Sequence, residues 1–321
     1  MDQNTLDETP HPVTPALSSD AEFVKTALSA PRKSAGAAML IITAIAFWFV
    51  MKGEGGVQEL LILIGVLVFH ELGHLLSMRL FGFTELGMFF LPGFGAAAMG
   101  HKPGARASEH AVVSLCGPLP GILIALPMLY WADMGSLAAD PMPLYTQVLA
   151  MLIFLNLLNL LPIPPLDGGR FFEVLVFARW PVVDGLFRFA AIGVLAWIAL
   201  QGLPMIGVIA GLMLLTARSH IKTAFASARL RKDVLIPADV AELGEHELQS
   251  IYTAADGATP QATGNYDRNK LLAVNVTRIF DRAARQPASL PATIALIVLW
   301  GVACLLALGE LAYLAIDSSR F

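Results

Sequence analysis

The chain has 321 residues, of which 56% are hydrophobic and only 14% are charged, and its formal net charge is −4 at pH 7. Soluble domains carry roughly 25% charged residues, so this composition excludes an ordinary soluble globule. The mildly negative charge gives no basic footprint for nucleic acid. We therefore expect a membrane protein that contacts lipid and has no nucleic-acid partner.

Seven apolar runs suggest membrane-spanning helices, each of which needs about 20 apolar residues. They cover roughly residues 35–51, 57–80, 109–131, 144–161, 185–201, 204–217 and 289–316. The sixth run is short, so it and the fifth form either a tight hairpin or a less regular pair. The predicted fold class is an all-α polytopic membrane protein with about seven transmembrane helices.

These runs divide the chain into four regions. We predict a disordered cytoplasmic N-terminal tail over residues 1–34, a membrane-embedded core over 35–217, a cytoplasmic helical segment over 218–288, and a C-terminal transmembrane helix with a short tail over 289–321. The tail is polar and contains four prolines, which favours disorder. Lys and Arg concentrate in alternate loops, which predicts a cytoplasmic N terminus. The helical segment is interpreted as either a docking element or a connector.

The second apolar run contains the sequence HELGH. His70 and His74 lie four residues apart, so a helix places both on one face, as two ligands of a tetrahedral zinc require. Glu71 follows the first histidine, from where it can reach a zinc-bound water. Each ionisable group within a span costs about 2.5–3.5 kcal/mol and is tolerated mainly for function. The alternative is a histidine pair hydrogen-bonded across helices, with Glu71 neutral.

A third ligand is best supplied by the segment NLLPIPPLDGG, residues 159–169. Its three prolines end the fourth helix. Gly168 and Gly169 permit a sharp turn that could direct the carboxylate of Asp167 back toward the metal. The alternative is that Asp167 only caps the helix that follows.

The segment 83–104, between the second and third runs, is rich in glycine and barely charged. Irregular backbone at membrane depth is tolerated where protein or a water-filled cavity covers it. We predict a re-entrant loop or β-hairpin near the active site, the alternative being a loop on the headgroups.

HELGH and NLLPIPPLDGG, in this order within residues 57–175, resemble the site-2 protease family of intramembrane zinc metalloproteases. The resemblance implies one Zn²⁺ per chain, held by His70, His74 and Asp167, with Glu71 as the catalytic glutamate. It further implies that substrate is bound by Asn159 and by a β-loop around Gly93 and Gly95 whose edge pairs with the unwound substrate.

The chain also departs from the family. Members often follow Gly-Pro with an Asn in the next core helix, whereas this chain has Gly117, Pro118 and Leu119. No PDZ or nucleotide-sensing domain is recognised, so regulation and any regulatory partner stay unassigned. From the compact resemblance we expect a multi-pass protein of a bacterial cytoplasmic (inner) membrane.

The predicted function is therefore intramembrane zinc endopeptidase activity on single-span membrane proteins, suited to regulated intramembrane proteolysis. Two alternatives stay open, a catalytically silent metal-binding scaffold and a metal transporter. Three further residues have simpler interpretations: Glu173 is solvated at the membrane interface, Arg188 snorkels to it, and His220 lies in a solvated loop.

Overall fold

A computed structural model describes residues 18–30, 41–43, 45, 48, 56–91, 95–131, 144–202, 204–261 and 267–318. The described chain is mostly helical, with one small β-sheet. Its helices are α1 (Ser19–Ser29), α2 (Val57–Leu80), α3 (Ala107–Cys116), α4 (Pro118–Trp131), α5 (Leu144–Leu160), α6 (Asp167–Leu175), α7 (Pro181–Leu200), α8 (Pro204–Asp233), α9 (Glu245–Ala258), α10 (Arg268–Ala283) and α11 (Leu290–Ser318). The strands are β1 (Thr84–Leu91) and β2 (Gly95–His101).

In the described part of the chain, four helical segments are long and apolar enough to cross a membrane. They are Val57–Leu80, Ala107–Trp131, Pro181–Leu200 and Leu290–Ala315. The second joins α3 to α4, and α5 is apolar but has only 17 residues. Four apolar helices of this kind indicate a membrane protein.

The seven predicted spans are not confirmed. The sixth run begins α8, but this helix has 30 residues in all and continues past the run into polar sequence as far as Asp233, so it is not apolar throughout. The first run, 35–51, lies largely outside the described residues.

The helix α2 lies at the centre of the core. One face packs on α5 and the sheet through a buried cluster that includes Leu67, Phe90 and Leu155. Gly73 allows α2 to approach the α3–α4 junction, because a Cβ there would lie 2.0 Å from the Cys116 carbonyl oxygen. The motif helix therefore packs against the sheet and against α3, α4 and α5.

Two antiparallel strands, β1 and β2, form the sheet, with Phe89 paired with Ala97 and Leu91 with Gly95. The sheet occupies the segment predicted to form a re-entrant loop or hairpin. Gly95 begins β2 with φ +107°, a conformation that side chains disfavour. Gly93 lies outside the described residues.

Part of the predicted tail is ordered. The N-terminal α1 packs on α9 and α10, with Ala21 and Val24 both fully buried and the Ser18 hydroxyl accepting a hydrogen bond from the Ala21 amide. The prediction of disorder over 1–34 is therefore wrong for residues 19–29, because their apolar face is buried against residues more than 200 positions away in the sequence. We call α1, α9, α10 and residues 218–233 of α8 the helical unit.

Candidate metal centre

The two histidines of α2 face the same side of the helix and are nearly inaccessible. His70 is 2% exposed and His74 is 6% exposed. Their Nε2 atoms are 3.2 Å apart, and their rings meet edge to face with centroids separated by 4.9 Å. The four-residue spacing in HELGH thus brings two imidazole nitrogens together, as predicted for a pair of metal ligands.

Hydrogen bonds fix the tautomer of each ring. His74 Nδ1 donates to the Val113 carbonyl at 2.8 Å, and His70 Nδ1 donates to Asn156 Oδ1 at 2.8 Å. The Asn156 amide is held in this orientation because its Nδ2 donates to the Leu152 carbonyl at 2.7 Å. With both Nδ1 atoms protonated, each neutral ring directs an Nε2 lone pair toward the other.

The Asp167 carboxylate completes a triangle of donor atoms. Its Oδ2 lies 2.9 Å from His70 Nε2 and 3.1 Å from His74 Nε2, and its side chain is 12% exposed. Zinc binds nitrogen and oxygen at about 2.0–2.2 Å, which separates tetrahedral ligands by roughly 3.3 Å. Three converging lone pairs repel one another unless a cation lies between them, so the donor set fits zinc.

The close packing of α6 on the end of α5 positions Asp167. A Cβ on Gly168 would lie 2.2 Å from the Leu160 carbonyl oxygen, and one on Gly169 would lie 2.4 Å from the Pro164 nitrogen. Asp167 is the first residue of α6. The glycines therefore serve this close approach, because they lie within the first helical turn and do not form the sharp turn that the sequence suggested.

A further glycine keeps space free beside the histidines. A Cβ on Gly117 would lie 2.3 Å from His74 Nε2 and 2.8 Å from His70 Nε2. Only glycine leaves room for a metal ion or a water next to both nitrogens.

Glu71 is positioned between the histidines and the hairpin. It is 5% exposed, and the backbone N–H of Ala98 in β2 hydrogen bonds to it. Its Oε2 has no hydrogen-bond partner within the described residues. The potential ligand atoms of His70, Glu71 and His74 all lie within 4.8 Å of one another. The site therefore holds one buried carboxylate oxygen that is free to exchange a proton.

Two predicted substrate contacts are not brought to this centre. The side chain of Asn159 donates to the Leu155 carbonyl of its own helix at 3.1 Å and is partly exposed. Gly95 lies at the start of the hairpin, where a Cβ would be 3.5 Å from the Leu67 side chain. Their roles stay predictions.

Sequence reasoning missed three parts of the site: Asn156, Gly117 and the Val113 carbonyl. A signal existed for Asn156, since a buried amide in an apolar helix needs a partner as a buried charge does. A backbone carbonyl carries no sequence signal.

Outside this site, sequence reasoning also missed the buried acid Glu310 of α11. Its side chain is 3% exposed, and it belongs to no group of three possible metal ligands in the described chain.

Comparison with known proteins gives a partial match. No protein-family model matches the chain. It is similar to stage IV sporulation protein FB of Bacillus subtilis (strain 168), with 30% identity over 128 residues. The match covers 40% of this chain and 43% of that protein, so the chain spans less than half the length of this relative.

Proposed function

We propose that the chain is an intramembrane zinc metalloendopeptidase that hydrolyses peptide bonds within or near the transmembrane segments of single-span membrane proteins. One observation carries this proposal: His70 Nε2, His74 Nε2 and Asp167 Oδ2 lie within 3.2 Å of one another. Both Nδ1 protons are donated to other acceptors, which leaves the Nε2 lone pairs for a metal. A site-2 protease-like role is in keeping with the two motifs and with the partial similarity to the sporulation protein.

The two histidines and Asp167 would hold the metal. When bound, zinc supplies a Lewis acid that polarises a carbonyl and lowers the pKa of a bound water toward about 7. The centre lies among apolar helices, where such electrostatic effects are stronger than in water.

In this proposal Glu71 acts first as the general base and then as the general acid. Its free Oε2 takes one proton from the attacking water and returns it to the amide nitrogen as the carbon–nitrogen bond breaks. The products are one new carboxyl and one new amine, so the carboxylate is regenerated. A scaffold or transporter that only holds metal needs no such base beside its first ligand.

The hairpin would present the substrate to Glu71. A transmembrane substrate satisfies its backbone hydrogen bonds within its own helix and must unwind before attack. Pairing with a strand edge replaces the lost hydrogen bonds. Because the Ala98 amide lies beside Glu71, a substrate strand that extends the sheet would pass close to the base.

The test compares wild type with Glu71→Gln and Asp167→Ala, each purified in detergent and assayed for zinc content and for cleavage of single-span substrates. We expect about one zinc in wild type and in Glu71→Gln, cleavage by wild type only, and strongly reduced zinc in Asp167→Ala. Glu59→Gln is the matched control, because Glu59 is an exposed acid in the first turn of the same helix. Cleavage by Glu71→Gln would rule out the assigned base, and zinc binding without any cleavage would favour the scaffold.

A further inference from the structure

A second polar cluster lies where the helical unit meets the membrane core. Its members come from four helices: Glu173 of α6, Asp184 and Arg188 of α7, His220 of α8 and Arg282 of α10. The sequence predicted Glu173, Arg188 and His220 as unrelated solvated or snorkelling residues. The structure corrects this, because all of them join one network that the proposed chemistry does not use.

The hub of this network is Arg282. Its Nη2 lies 2.5 Å from Glu173 Oε1 and 3.0 Å from His220 Nε2, and its Nη1 lies 3.7 Å from Asp184 Oδ2. Burial alone would raise the pKa of Glu173, but the Arg282 guanidinium holds that pKa below its usual value. The pair is therefore an ion pair between the helical unit and α6.

The helix α6 links this ion pair to the metal centre. It has nine residues, with Asp167 at its first position. Glu173 lies six residues further on, which is about 9 Å along a helix. Phe171 and Leu175 are buried at 0% and 1% exposure and anchor the apolar side of α6. A helix this short moves as one piece, so its attachment at Glu173 helps to set the position of the Asp167 carboxylate.

Other contacts of this junction reach the segment just after α6. Arg231 of the helical unit donates to the Ala178 carbonyl at 2.6 Å, and Arg179 donates to the Ala288 carbonyl at 2.7 Å. The segment that follows the helical unit is also tied to the start of α3, since the Ala107 amide donates to the Gln286 carbonyl at 2.9 Å. The element that carries Asp167 is thus held by the helical unit, and the element that carries Val113 by the segment that follows it.

We propose that Arg282 is a positioning residue for the third metal ligand: by holding Glu173 it fixes α6, so that docking of the helical unit completes the metal centre. This inference rests on the proposed metal site. Metal coordination tolerates only about ±0.2 Å in ligand distance, so a small shift of α6 removes Asp167 from the ligand set. The segment 218–288, predicted as a docking element or a connector, then acts as part of a control element for the site.

The test measures Co²⁺ binding and the visible absorption of bound Co²⁺ with the full chain in detergent. Arg282→Gln should weaken Co²⁺ affinity by about 10–100-fold, the range seen when supporting partners of a metal site are lost, and should change the absorption band because one ligand is displaced. Arg282→Lys, which keeps the charge, should restore part of the affinity.

The matched control is Arg268→Gln. Arg268 lies on the same helix and pairs with Asp256 at 2.6 Å within the helical unit, away from α6. It should bind Co²⁺ with wild-type affinity and spectrum. If Arg282→Gln does not fold by circular dichroism, Glu173→Gln removes the other half of the pair and decides the same question.

Two outcomes would overturn the inference in distinguishable ways. A folded Arg282→Gln, or Glu173→Gln in its place, with the affinity and spectrum of wild type overturns the positioning role alone. A wild-type chain that binds no Co²⁺ overturns the metal centre, and the positioning role with it.

Discussion

Asn156 offers the sharpest test of how the site is built. The residue is completely buried in α5, and its amide is the acceptor for the Nδ1 proton of His70. In Asn156→Leu that proton faces an apolar group with no room for water. His70 can then recover a hydrogen bond only by moving its proton to Nε2, where it blocks the lone pair that would bind metal.

Two independent estimates give the size of the effect. A buried donor without a partner costs about 1–3 kcal/mol. Loss of a partner that orients a metal ligand lowers affinity about 10–100-fold, which is about 1.4–2.8 kcal/mol. We therefore expect the zinc dissociation constant of Asn156→Leu to rise by one to two orders of magnitude.

The assay is competition for zinc between the purified chain and a chromophoric chelator. Asn159→Leu is the control, because the hydrogen bond that the Asn159 amide makes among the described residues goes to a carbonyl of its own helix. We expect a change of about twofold or less. Wild-type affinity in Asn156→Leu would refute the reasoning that tautomer control by α5 defines the centre.

The remaining predictions test sterics and packing. Gly117→Ala introduces a Cβ 2.3 Å from His74 Nε2, so we expect overpacking of about 1–3 kcal/mol. Equilibrium dialysis should show loss of zinc, and cleavage should be lost, while helix content stays unchanged. Gly193→Ala should bind zinc normally in that dialysis, because the added Cβ meets no described atom within 4 Å beyond its chain neighbours and its own helix backbone. Val24→Asp buries an unpaired charge in the helical unit and should accelerate tryptic digestion of residues 218–288. Thr26→Asp, on the exposed side of α1, should digest like wild type, and equal rates for the two variants would contradict the packing of α1.

Local features could be predicted from the sequence. The histidine spacing predicts one helical face, and Pro162 predicts the end of α5, which lies at Leu160. The turn predicted at Gly168 is absent, because Gly168 lies inside α6. What could not be predicted depends on contacts between distant segments. Asn156 meets His70 across 86 positions, and Arg282 meets Glu173 across 109. The seven predicted spans stay unconfirmed, because the composition of a run does not show that the helix continues into polar sequence, as α8 does, and because the first run lies largely outside the described residues.

The packing of α1 on α9 and α10 also constrains how the chain threads the membrane. Two segments that share one buried core lie on the same side of the bilayer, so the chain between residues 30 and 244 crosses an even number of times. The apolar helical segments in that interval are α2, α3–α4, α5, α7 and the first half of α8, which is an odd number within the described residues. If all of them cross the membrane, an even number of crossings requires one more, and the apolar run at 35–51 has a composition suited to it. With α11 as one crossing more, the chain beyond residue 315 emerges on the face opposite the helical unit, so tags at the two positions should differ in accessibility.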